Sequence, residues 1–142
     1  MTMMAFAHHI IAVAHDNGLT ITNLQLQKIM YFSLQDALRN GTLDRHIIED
    51  NYDQPFLVWR YGPVEREVYD AYKVYGADSI TEQSEISDVF NPLNNEIISL
   101  LQRNPFELVK VSHLEPFWRE HSNEIVGWRS NTRYGLDDIM VG

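Results

Sequence analysis

Residues 56–76 read FLVWRYGPVEREVYDAYKVYG: a crowded aromatic and β-branched run, a Gly-Pro break, and a helix-like pattern in succession. Phe56, Leu57, Val58, Trp59 and Tyr61 are too short and too bulky a run to favour a helix, so they predict a buried extended segment. Gly62 turns the chain. Pro63 suits the first helical position, where its missing N–H costs nothing, and Glu65 and Glu67 place negative charge near the positive end of the helix dipole. Val64, Val68, Ala71, Tyr72 and Tyr75 then form one apolar stripe at i, i+4, i+7, i+8 and i+11, and Gly76 stands where a C-cap is wanted. On this reading Gly62, Pro63 and Val64 are a structural joint between an extended element and a central helix.

Working outward, Ala7, Ile10, Ile11 and Ala14 keep the spacing of a buried helical face that Asn17-Gly18 ends. Thr22 with Gln25 makes a capping box, and Leu26, Ile29, Met30, Leu34, Ala37 and Leu38 hold a second helix until Asn40-Gly41. Residues 42–54 are polar and predict a loop with room for one helical turn. Beyond the central unit, Asn91-Pro92 predicts a helix start, with Leu93, Ile97, Leu100 and Leu101 periodic to about Arg103. Asn104-Pro105 restarts a short helix. Ser112 with Glu115 reads as a further capping box opening toward Pro116, Phe117 and Trp118, and Leu136–Met140 can form a final turn. The expectation is a mainly α chain: a single compact domain, residues 1–142, of about six helices with a short β element before the central helix.

The chain has 142 residues, no cysteine and a formal charge of −9. The missing thiols remove disulfides, thiolate nucleophiles and Cys-type zinc sites together, and suit a reducing cytoplasm. The acidic balance is the wrong sign for holding a phosphate backbone, so direct nucleic-acid binding is disfavoured. No apolar run is long enough for a membrane span, and the run from Met1 to Ala14 lacks the basic flank of a signal peptide. Five acids and no Lys or Arg fall between Asp78 and Glu96, a pattern of a solvated loop or of a docking surface for a basic partner.

Catalytic signals are sparse. His8 and His9 are adjacent, so they point some 100° apart on a helix and do not face one ion. His113 and His121, with Glu115 and Glu120, are an acid/base candidate for a small hydrolase, and equally an ordinary helix-entry pattern. There is no GxSxG, phosphate loop or dinucleotide fingerprint. No cofactor, metal ligand set or catalytic residue is expected. Aromatic and Arg residues gather instead at the joint, the types that carry most binding energy in protein interfaces. Trp59, Arg60, Tyr61, Glu65, Arg66 and Tyr69, with His113 and Trp118 later in the chain, are the candidate partner-binding set; Trp59 and Trp118 read equally well as core.

Three blocks, ITNLQLQKIMYF (21–32), FLVWRYGPVEREVYDAYKVYG (56–76) and LVKVSHLEPFW (108–118), resemble in order and spacing the Panacea domain, the antitoxin group that includes SocA-type proteolysis adaptors and phage-encoded relatives. The WxYGPV core is the specific part. The resemblance implies a mostly helical domain that neutralises an unrelated toxin by binding it in a bacterial or phage toxin–antitoxin system, without catalysis of its own. It implies a cognate toxin as partner and, in the family's other mode, a protease to which the toxin is delivered. No block covers the stretch after Asn123.

Overall fold

The computed structural model describes residues 2–142; Met1 lies outside the described residues. Eight α-helices and one two-stranded sheet are formed among them: α1 (Met3–Asp16), α2 (Asn23–Asn40), α3 (Arg45–Asn51), β1 (Phe56–Trp59), β2 (Gly62–Glu65), α4 (Arg66–Tyr72), α5 (Asn94–Leu101), α6 (Pro105–Leu114), α7 (Pro116–His121) and α8 (Leu136–Val141). The helix around which the others assemble is α2, which packs against α1, α4, α5, α6, α8 and β2. Its apolar row Leu26, Ile29, Met30, Leu34 and Ala37 is buried, and so are Gln27, Lys28, Ser33 and Gln35 between them. Thr22 and Gln25 form the expected capping box, and Gly41 closes the helix in the left-handed conformation.

The joint at residues 62–65 departs from the expectation. Pro63 does not open a helix: Gly62–Glu65 is a strand paired antiparallel with Phe56–Trp59, Trp59 opposite Gly62, leaving Arg60 and Tyr61 as a two-residue loop. Both loop residues keep negative φ, and Gly62 closes the turn at φ 101°. The helix starts three residues later, where the Glu65 carboxylate accepts the N–H groups of Glu67 at 3.0 Å and Val68 at 2.9 Å as its N-cap. Val64 therefore belongs to the sheet. Of the expected stripe, Val68 and Tyr72 are buried and Ala71 is exposed. A 3₁₀ turn, Lys73–Tyr75, runs on to Gly76 at φ 58° and ψ −124°, outside the left-handed helical well.

Three further expectations change. Residues 42–54 hold α3, two turns capped by Asp44, and with α8 it raises the helix total above about six. The Asn91-Pro92 helix start is absorbed into a 3₁₀ segment, Asp88–Leu93, that runs directly into α5. Ser112 is no cap: it lies buried inside α6 and donates to the Val109 carbonyl, while α6 itself starts at Asn104-Pro105 as expected. The acidic connector is pinned to α1 at two histidines. His15 Nε2 donates to the Ile80 carbonyl at 3.0 Å; His9 accepts from Ser87 N–H and donates to Asn94. Burial lowers the His9 pKa, in keeping with this neutral bridging tautomer.

Candidate functional site

A lone hairpin is marginal in water, because each strand has an unpaired edge. Here both edges are satisfied. On the β2 side α2 supplies side chains in place of a strand: the Gln27 amide donates to Glu65 O at 3.1 Å and accepts from Glu65 N at 2.8 Å, and Lys28 Nζ donates to Pro63 O at 2.8 Å. On the β1 side the chain after Asn123 returns as an irregular segment that bridges to it at Leu57 and Arg133. Val58 N–H donates to Thr132 O, Arg60 N–H to Trp128 O, and Tyr134 N–H to Phe56 O, all within 2.9 Å. Pro63 has its nitrogen on the β2 edge that α2 covers and lies buried there, so the missing donor leaves no N–H to satisfy on that edge.

The tip of the hairpin is held from the side as well. His113 Nε2 donates to Arg60 O at 2.7 Å and Trp118 Nε1 to Trp59 O at 2.9 Å, and the two rings stack at 3.9 Å. Burial, with Lys28 nearby, lowers the His113 pKa, which keeps the ring neutral beneath the turn. His113 and Trp118 thus act on the tip from within. Lys28 is fully buried, and desolvation pushes its ammonium down to about 7. Burial pushes the Glu65 carboxyl up to about 7 against the pull of its two amide donors.

The sequence-predicted set separates. Trp59, Arg60, Tyr61, Tyr69, His113 and Trp118 converge on the tip. Glu65 does not reach the surface; it is 1% exposed and occupied as a helix cap. Arg66 lies along the opposite side of the hairpin, beside Leu57 and Arg133, and pairs with Asp70 at 3.7 Å. The acid/base candidate is dispersed: His113 bonds the turn, Glu115 accepts from Tyr31 and Gln35, and His121 pairs with Glu124 at 2.8 Å. Glu120 is exposed. Among the described residues no group of three His, Asp or Glu side chains is placed to hold a metal, and no helix is long and apolar enough to cross a membrane.

Beside the tip opens an apolar groove of about 340 Å³, walled by Trp59, Tyr69 and Trp128 and rimmed by Tyr61 and Phe106. The three wall rings meet edge-on, with centroids 5.2–6.0 Å apart. The Arg129 guanidinium lies 4.4 Å from the Trp59 ring centroid and 4.5 Å from that of Trp128. Phe106, Tyr61 and Trp128 remain 64%, 54% and 40% exposed. The sequence reading missed Asn23, Gln27, Lys28, Phe106, Trp128 and Arg129. Phe106 at the second position of a helix was the readable sign, since nothing in its own helix can cover it. The tail residues carry no periodicity that would announce a strand.

No curated protein and no solved structure matches the chain. The family described as antitoxin SocA-like, Panacea domain, matches residues 26–119, from the α2 residues that clamp β2 to the α7 tryptophan that holds the hairpin tip. With two thirds of its length, both hairpin strands and the His113 and Trp118 supports inside the match, the chain belongs to the SocA-like antitoxin family, as a Panacea domain.

Proposed function

We propose that this chain is the antitoxin of a toxin–antitoxin pair and neutralises a genetically linked toxin by direct protein binding, with the hairpin tip and its groove as the contact surface. The observation that carries the reading is the exposure of Tyr61, Phe106 and Trp128 around a turn whose Arg60 N–H and C=O and Trp59 C=O are held by Trp128, His113 and Trp118. Large aromatic side chains left in water on a rigid support are costly for a monomer and effective as anchors for a partner. Family membership supports an antitoxin role, and the dispersal of His113, Glu115 and His121 supports binding rather than catalysis. Arg60 and Tyr61 are then the contacting residues, Trp59 and Tyr69 the walls, His113 and Trp118 the supports. The setting is the cytoplasm, with no cofactor and no nucleic-acid contact by this chain.

The test is co-expression with the product of the adjacent toxin gene, reading growth, toxin abundance and co-purification. Rescue with a stable complex and unchanged toxin abundance is the expected result. Rescue accompanied by protease-dependent loss of toxin would replace sequestration by delivery to a protease. Failure of the wild-type chain either to bind or to rescue overturns the antitoxin reading.

A further inference from the structure

We propose that the turn at residues 126–129, which lies beyond the family match, decides which toxin this surface accepts, with Val126, Trp128 and Arg129 as its specificity-determining residues. The inference rests on the toxin-binding reading and assigns the choice of partner within that surface. The matched residues end at 119. The groove is nevertheless walled from both sides of that boundary, by Trp59 and Tyr69 within it and by Trp128 beyond it. The surface is therefore composite. Two turns stand side by side, Arg60-Tyr61 in the matched part and Gly127-Trp128 in the tail, joined where Arg60 N–H donates to Trp128 O at 2.9 Å.

The tail turn suits selection because its backbone and its side chains do separate work. Val126 N–H donates to Arg129 O at 2.9 Å, and Gly127 takes a φ of 70° at the first central position, the geometry of a two-residue hairpin turn. The Arg60 N–H and the Trp59 ring N–H are received by tail carbonyls, Trp128 O and Ser130 O. None of these bonds uses a side chain of residues 126, 128 or 129, so all three can change while the turn and its hold on β1 persist. Those side chains are also the ones a partner meets. Val126 is 86% exposed and Trp128 40%, and the Arg129 guanidinium rests on the Trp59 and Trp128 rings with no carboxylate against it among the described residues. In the matched part the supporting residues are committed: Gln27, Lys28, His113 and Trp118 each bond a backbone atom of the hairpin. A fixed scaffold carrying a loop whose side chains vary at little cost to the fold is where discrimination between partners is built.

The experiment randomises residues 126, 128 and 129 of the full-length chain, with Gly127 retained. The library is co-expressed with the toxin encoded beside this chain and, separately, with toxins encoded beside other chains that match the same family. Variants that rescue growth from one of those other toxins are expected, each binding the linked toxin at least about tenfold more weakly than wild type while keeping its melting temperature. Trp128→Ala, which leaves the backbone bond to Arg60 in place, should by itself weaken the linked complex by at least about tenfold. A library in which no variant changes partner overturns the proposal. So does one in which loss of rescue only follows loss of melting temperature, the behaviour of a turn that merely braces β1. Partner changes obtained only by randomising Tyr61 and Phe106 would move the choice into the matched part and overturn it as well. A wild type that neither binds nor rescues removes the antitoxin reading and this inference with it; a wild type that binds, with tail variants all within about twofold of it, loses this inference alone.

Discussion

Gly62 is held by space as much as by conformation. A Cβ at its φ of 101° would press on the Ser112 hydroxyl and on Lys28 Nζ, both buried and both already committed to backbone carbonyls. Gly62→Val should therefore lower stability by about 2–4 kcal/mol, combining backbone strain with overpacking. Pro63→Ala brings an N–H to the edge that α2 covers without straining the strand and should cost less, about 1–2 kcal/mol; urea midpoints of the two variants test the contrast. Glycine at the turn was readable from residues 56–76, but the lysine beneath it was not, because Lys28 on a helix looks like a solvated residue until every side of that helix is covered. Lys28 also sets a pH dependence. Its pKa falls from 10.5 unfolded to about 7 folded, so between those values the unfolded chain binds more protons and stability rises with pH, at no more than about 1.4 kcal/mol per unit. Glu65 acts oppositely in a lower window. Its pKa rises from 4.5 to about 7 on folding, so the folded state binds more protons there and stability falls as pH climbs through that window. Lys28→Met should flatten the upper limb and Glu65→Gln the lower one, in denaturant midpoints measured from pH 5 to 10.

At the scale of elements, the hairpin exists because α2 and the tail finish its two edges. Gln27 closes the β2 edge with a two-bond exchange that a neighbouring strand would otherwise make. Gln27→Leu keeps the side-chain bulk and leaves the buried Glu65 N–H and C=O without partners; it should cost about 2–4 kcal/mol, seen as a lower midpoint with the helical circular dichroism retained. The same interaction explains why Pro63 misled the sequence reading. Proline with two following glutamates is a sound helix start on local grounds, and it is pairing with β1, together with the distant Gln27 and Lys28 bonding Glu65 and Pro63, that holds these residues extended. Helices α2 and α6 were legible because Thr22 and Asn104 act within three residues of their positions, and α1 because its apolar spacing and its Asn17-Gly18 stop are equally local. The tail segment beside β1 was illegible for the opposite reason. Residues 126–134 are placed by single hydrogen bonds to β1 and carry little periodicity in their own order.

For the whole molecule, the question is which face a partner can use. A standard interface covers about 800 Å² per partner, on the order of a tenth of the 7296 Å² surface of this chain. The groove alone cannot supply that area, so a bound toxin must also cross the tip and the start of α6, where Tyr61 and Phe106 stand exposed on either side of it. Arg66 lies on the far side of the hairpin and its charge is already met by Asp70. Replacing Tyr61 and Phe106 together by Ala should weaken the toxin complex at least about tenfold, the effect of losing one hot spot or more, with an unchanged melting temperature because neither side chain is in the core. Arg66→Ala should leave binding within about twofold, since a solvated i, i+4 pair contributes only a few tenths of a kcal/mol to anything. Isothermal titration of the purified pair separates the outcomes: equal losses from both variants would move the contact surface to the α4 side of the hairpin, and no loss from either would move it off the hairpin altogether.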